Sequence, residues 1–111
     1  PILWLGSSDS RVDPHHILDS EPGKIFVHRN LANQVDVNDC NIMSAIVYSV
    51  QVLGVKYVVV CGHSNCQGVS LACDGIDHLP VNMNKVLTPV RSVFEKVLEV
   101  YLIIDRQWKE L

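Results

Sequence analysis

Tyr57-Val58-Val59-Val60-Cys61-Gly62-His63-Ser64-Asn65-Cys66 is the stretch that decides the fold. An apolar, β-branched run without polar alternation predicts a strand covered on both faces, as in the parallel sheet of an α/β protein. Gly62 ends it. Upstream, Ile42, Ala45, Ile46, Ser49, Val50 and Leu53 recur at helical spacing after Asp39, and Gly54 closes that run as a C-terminal glycine does. Downstream, residues 66–73 read as a small-residue helix. Nearer the start, Ile2-Leu3-Trp4-Leu5 and Lys24-Ile25-Phe26-Val27-His28 predict two more strands. Between them Pro14 opens a short helix through Leu18, and Glu21-Pro22-Gly23 makes a turn. Residues 74–84 read as a polar loop. Thr88 as N-cap with Pro89 at the first helical position predicts a last helix with Val90, Val93, Phe94, Val97, Leu98 and Tyr101 on one face. Residues 102–104 suit a short strand. Strands alternating with helices imply an α/β fold, a central parallel-stranded sheet flanked by helices, in one domain over residues 1–111.

Composition agrees. With 111 residues, 48% of them hydrophobic and 19% charged, the chain is long enough for one core and too apolar for disorder. The formal net charge of -3 is scattered, with no basic stripe to meet phosphates, so nucleic acid is excluded as a partner. Lys56, His63 and Arg91 interrupt every apolar run before the ~20 residues of a membrane span, so no membrane is expected either. Cys40, Cys61, Cys66 and Cys73 sit in apolar or metal-like contexts, which reads as free or metal-bound thiols in a reducing, cytoplasmic compartment. Cys40, Cys61 and Cys73 are expected to be small buried hydrophobes.

In parallel sheets, ligands bind beyond the carboxyl ends of the strands. Three polar clusters fall there: Ser7 to Arg11, His28 to Asn33, and His63 to Cys66. His63 and Cys66, three apart after a buried strand, offer zinc a nitrogen and a sulfur that one tight turn can aim at a point. Arg11 can clamp the Asp9 carboxylate through two hydrogen bonds, or the two can be an ordinary loop ion pair. Gln34, His28 and Asn33 are further candidates to line a cleft, while His15, His16 and His78 read as surface histidines.

Leu3-Trp4-Leu5-Gly6-Ser7-Ser8-Asp9-Ser10-Arg11-Val12 resembles the first motif of the β-class carbonic anhydrases, C-S-D-S-R. Glu21-Pro22-Gly23 with Phe26-Val27-His28-Arg29-Asn30-Leu31-Ala32-Asn33 resembles the second block. Cys61-Gly62-His63-Ser64-Asn65-Cys66-Gln67-Gly68-Val69 resembles the third, C-G-H-x-x-C-G-G. By this resemblance the expected reaction is zinc-dependent, reversible hydration of carbon dioxide to bicarbonate. The metal lowers the pKa of its water to about 7 and makes hydroxide available. His63 and Cys66 take two ligand positions. Asp9 matches the carboxylate that accepts a hydrogen bond from that water or itself binds zinc, and Arg11 matches its clamp. The resemblance also implies a homodimer or larger homo-oligomer. Of the family's N-terminal helical arm and its strand beyond the last helix, this sequence has no recognisable match.

One ligand differs. Ser7 stands where the family has Cys, and a neutral hydroxyl is a far poorer zinc ligand than a thiolate. The expected metal set is therefore Asp9, His63 and Cys66, with zinc occupancy reduced and catalysis weak or absent. The alternative is a non-catalytic pseudoenzyme that binds bicarbonate or a partner subunit. Gln67, where the family has Gly, is expected to narrow the pocket or disturb the turn. Trp4, Arg29 and Tyr48 match positions that bind a second bicarbonate in one subgroup. The plainer reading makes Trp4 a core aromatic, Tyr48 a helix-face residue and Arg29 a structural ion-pair partner.

Overall fold

The computed structural model describes residues 1–109, Trp108 by its backbone alone. They divide into two compact units, one over residues 1–66 and the other from residue 67 onward.

The first unit is built on a parallel sheet of order β2-β1-β3. Its strands are β1 (Ile2–Ser7), β2 (Ile25–Asn30) and β3 (Tyr57–Cys61). The central strand β1 pairs Leu5 with His28 and Val60, and Gly6 with Arg29 and Cys61. Since paired residues of parallel strands share a face and neighbours alternate, Leu3, Leu5, Ser7, Phe26 and His28 point one way. Trp4, Gly6, Val27, Arg29 and Cys61 point the other. Leu3 and Leu5 pack with Ile42 of helix α2 (Cys40–Val47) to form the core, and Phe26, Met43, Ile46 and Val55 close round it.

Helix α1 (Pro14–Ile17) starts on Asp13, whose carboxylate accepts from the His15 N–H at 3.0 Å. Asp39 caps α2 in the same way through the Asn41 N–H at 2.9 Å. The apolar spacing predicted one helix running to Gly54, and the last turn departs from that geometry. Residues Tyr48–Val52 widen into a π-turn, with Leu53 N–H reaching Tyr48 O and Val55 N–H reaching Ser49 O. Gly54, at φ +66°, supplies the left-handed residue this closure requires.

Strand β3 corrects the expectation of a strand covered on both faces. It lies at the sheet edge, with Tyr57, Val58 and Val60 at 67%, 50% and 61% exposure. The apolar pattern reports which residue types tolerate burial, not which neighbours are present to bury them.

The second unit pairs α3 (Gln67–Asp74) with α4 (Val81–Lys109). Ala72 and Leu87 are buried here. Arg91 donates to the carbonyls of Ala72 and Cys73 at 3.2 and 2.6 Å, satisfying the end of α3. Helix α4 begins seven residues before the predicted Thr88–Pro89 start. Asn84 anchors this earlier start, its N–H reaching Pro80 O and its amide reaching Ile76 O at 2.8 Å. Pro89 is therefore internal, and the Thr88 hydroxyl donates back to Asn84 O at 2.7 Å instead of capping. Residues 102–104, predicted as a strand, continue α4. No helix among the described residues is long and apolar enough to cross a membrane.

Candidate metal centre

The carboxyl ends of β1 and β3 bring together residues that the sequence holds more than fifty positions apart. Asp9 lies two residues past β1, and His63 and Cys66 follow β3. One ligand atom from each lies within 4.8 Å of the others, the only such cluster among the described residues. Ligand atoms bound at ~2.0–2.3 Å around tetrahedral zinc stand about 3.3–3.8 Å apart, so closing on an ion asks for small movements only.

His63 is prepared for the role. Its Nδ1 lies 2.8 Å from Ser64 O. A carbonyl only accepts, so Nδ1 carries the proton and the lone pair is on Nε2. That Nε2 is buried with no hydrogen-bond partner. A buried nitrogen with an unused lone pair costs free energy unless something binds it, and a metal ion does so. Asn65, at φ +56°, makes the left-handed step that turns the chain from His63 back to Cys66. Asparagine tolerates this conformation better than most residues.

Ser7 is fully buried at the end of β1. Its Oγ accepts the Asp9 N–H at 3.2 Å and lies 3.4 Å from Cys66 Sγ. The position at which the resembled motif carries a cysteine is thus occupied by a hydroxyl tied to two of the three candidate ligands. Cys61 does not substitute. It pairs with Gly6, so its side chain lies on the sheet face opposite Ser7. Cys40, expected to be buried, is exposed because it opens α2 just after its cap, and Cys61 and Cys73 are only half-buried.

Arg29 holds the Asp9 loop. Its Nε donates to Ser7 O at 2.8 Å and its Nη2 to Ser10 O. Charge-assisted bonds of this kind are among the stronger single contacts available to a loop. The predicted trio Trp4, Arg29 and Tyr48 is not brought together. Trp4 and Arg29 share one face, where Trp4 Nε1 lies near Gly6 and the Arg29 stem beside it. Tyr48 stacks on Phe26 at 5.6 Å, on the other. Tyr48 and His28 help line a separate shallow cavity of about 460 Å³. Asn33 ties the β2 loop to the end of β3 by donating to Cys61 O at 3.0 Å, and Asn30 closes its turn on Gln34 at 2.7 Å. Arg11 is exposed, as are His16 and His78, while His15 is half-buried 3.7 Å from Asp13.

The loop-strapping role of Arg29 and the Ser7–Cys66 contact escaped the sequence reading. Both join residues that only the strand register makes neighbours.

One nitrogen, one sulfur and one carboxylate beyond the carboxyl edge of a parallel sheet define an α/β protein with a candidate mononuclear metal centre. Comparison with known proteins narrows the class. The carbonic anhydrase family model matches residues 2–108. A carbonic anhydrase of Emericella nidulans is 46% identical over 92 residues, 83% of this chain and 40% of the relative. One of Candida albicans is 48% identical over 104 residues, 89% of this chain and 36% of the relative. A tetrameric β-carbonic anhydrase of Sordaria macrospora superposes with TM-score 0.82 at 41% identity, over 88% of this chain and 49% of that one. The chain belongs to the β-class carbonic anhydrase family. It spans about two-fifths of the length of these curated relatives.

Proposed function

We propose that the chain takes part in the zinc-dependent, reversible hydration of carbon dioxide to bicarbonate, with activity weakened by Ser7. The supporting observation is the convergence of Asp9, His63 and Cys66 within 4.8 Å at the sheet edge, beside the buried free Nε2 of His63. These three residues would hold the zinc, which when bound supplies a water acidic enough to furnish hydroxide near neutral pH.

The protein's own part follows from its residues. His63 contributes a neutral nitrogen, its tautomer set by the Ser64 carbonyl. Cys66 and Asp9 each contribute one negative charge, together balancing a dication. Asp9 is thereby committed as a ligand and cannot also orient the nucleophile. That conflict is what makes catalysis weak. Arg29 keeps the Asp9 loop in place through the Ser7 and Ser10 carbonyls. Arg11 is assigned, by family resemblance, to fixing the Asp9 carboxylate. Assembly as a homo-oligomer is consistent with the tetrameric relative.

The buried, doubly engaged Ser7 hydroxyl favours a second reading, a non-catalytic domain that binds bicarbonate or a partner subunit. Elemental analysis after zinc loading, with stopped-flow hydration of the wild type and His63→Ala, separates the two. The proposal expects stoichiometric zinc and slow hydration that His63→Ala abolishes. Absence of both zinc and hydration above buffer selects the second reading, and fast turnover refutes the weakening assigned to Ser7.

A further inference from the structure

We infer that Ser7 serves the metal centre as the hydrogen-bond donor to the Cys66 sulfur and not as a ligand, leaving a centre with a single sulfur. The inference rests on the metal site proposed above and concerns what the substituted residue does there. The Ser7 Oγ accepts from the Asp9 N–H at 3.2 Å, so one lone pair is committed. The residue is fully buried, so its hydroxyl proton has no water to meet and must find a protein acceptor. Cys66 Sγ lies 3.4 Å away. The hydroxyl and the thiol can donate either way when both carry protons. A metal-ligating cysteine has lost its proton, and a thiolate only accepts. In the loaded site the direction is therefore fixed: Ser7 O–H to Cys66 S⁻.

Two consequences follow. The donated proton lowers the energy of the sulfur lone pairs, making Cys66 a weaker electron donor to the ion. The same hydroxyl, through the Asp9 N–H, locks the Cys66 turn to the Asp9 loop, so Ser7 positions two ligands while binding nothing itself. Among the described residues no other cysteine joins the cluster of ligand atoms, and Cys61 lies on the opposite sheet face.

Cobalt(II) is the probe. Added alone to the reduced protein, it gives sulfur-to-metal charge-transfer absorption when a thiolate binds. X-ray absorption of the zinc-loaded protein counts sulfurs at about 2.3 Å against nitrogen and oxygen at about 2.0–2.2 Å. The inference expects one sulfur in the wild type. In Ser7→Ala the sulfur count stays at one and the charge-transfer band moves to lower energy, because the sulfur has lost its donor. Affinity falls on the order of 10–100-fold, because losing the lock between the Cys66 turn and the Asp9 loop outweighs the stronger donation of the freed sulfur. A merely structural role for Ser7 would not move the band. A band unmoved in Ser7→Ala, or an oxygen ligand lost with Ser7, overturns the inference while leaving the metal site standing. Two sulfurs in the wild type overturn it as well. Absence of cobalt binding, or binding without any sulfur band, overturns the metal-site reading itself.

Discussion

Replacing Ser7 by Cys should raise zinc affinity on the order of 10²–10³-fold and carbon dioxide hydration with it. The magnitude follows from the ligand set. Structural zinc sites bind with about 10–16 kcal/mol through four ligands, or about 2.5–4 kcal/mol for each. At about 1.4 kcal/mol per decade, one added thiolate is worth roughly two to three decades. The geometry permits this return. Ser7 Oγ stands 3.4 Å from Cys66 Sγ. Two sulfurs on tetrahedral zinc stand about 3.8 Å apart, so the new sulfur needs a shift of only about half an ångström, within reach of a small side-chain rotation. With two sulfurs and His63 holding the ion, Asp9 is no longer indispensable to binding and can exchange with water to orient the nucleophile. Zinc affinity is read by competition with a chromophoric chelator under a reductant, which keeps the new thiol and Cys66 from joining as a disulfide. Stopped-flow hydration is measured on the same samples. An affinity gain below tenfold, or full zinc uptake with hydration no faster than the wild type, would refute the assignment of the defect to Ser7.

Three further outcomes are expected. Arg29→Met removes the Nε and Nη2 donors to Ser7 O and Ser10 O; because Ser10 N–H still serves Ser7 O, urea unfolding should record a loss of only about 2–3 kcal/mol. Metal affinity in that variant should fall by tenfold or more, read by cobalt titration. Gly6→Ala places a Cβ 3.0 Å from Trp4 Nε1, and crowding the central strand should cost about 1–3 kcal/mol in denaturant melts, with wild-type stability as the contrary result. Asn65→Val sets a β-branched residue at φ +56°, costing on the order of 1–3 kcal/mol and moving Cys66 out of the cluster, whereas Asn65→Gly should retain cobalt binding; equal binding by the two variants would remove Asn65 from the account.

The sequence made the sheet legible because strands built of Leu3-Trp4-Leu5, Ile25-Phe26-Val27 and Val58-Val59-Val60 leave few alternatives to parallel pairing. It made Asp9, His63 and Cys66 legible because polar residues just past a buried strand fall where parallel sheets bind ligands. What escaped it depends on register and on competition between signals. The resemblance groups Tyr48 with Trp4 and Arg29, yet the two-residue alternation of β1 and β2 sends Phe26, on which Tyr48 stacks, to the opposite face. Thr88-Pro89 is a sound local start for a helix. The Asn84 bonds to Pro80 and Ile76 begin α4 sooner, and the proline is carried inside.

On the proposed reading, Ser7 illustrates how a site can lack one ligand of its family's set and keep its shape. A hydroxyl in a buried position needs partners, and the Asp9 N–H and Cys66 sulfur supply them. Alanine there would leave that N–H without its acceptor, while a larger apolar residue would have no room at 0% exposure. Serine is thus the neutral residue that best fits this position without moving either loop. The Asp9 strap by Arg29 and the His63 tautomer set by Ser64 do not involve the Ser7 side chain at all. The loss proposed for Ser7 would therefore lie in the charge and softness offered to a metal ion, not in the arrangement of the loops. This is why a single-atom change, oxygen to sulfur, is expected to recover binding and chemistry together.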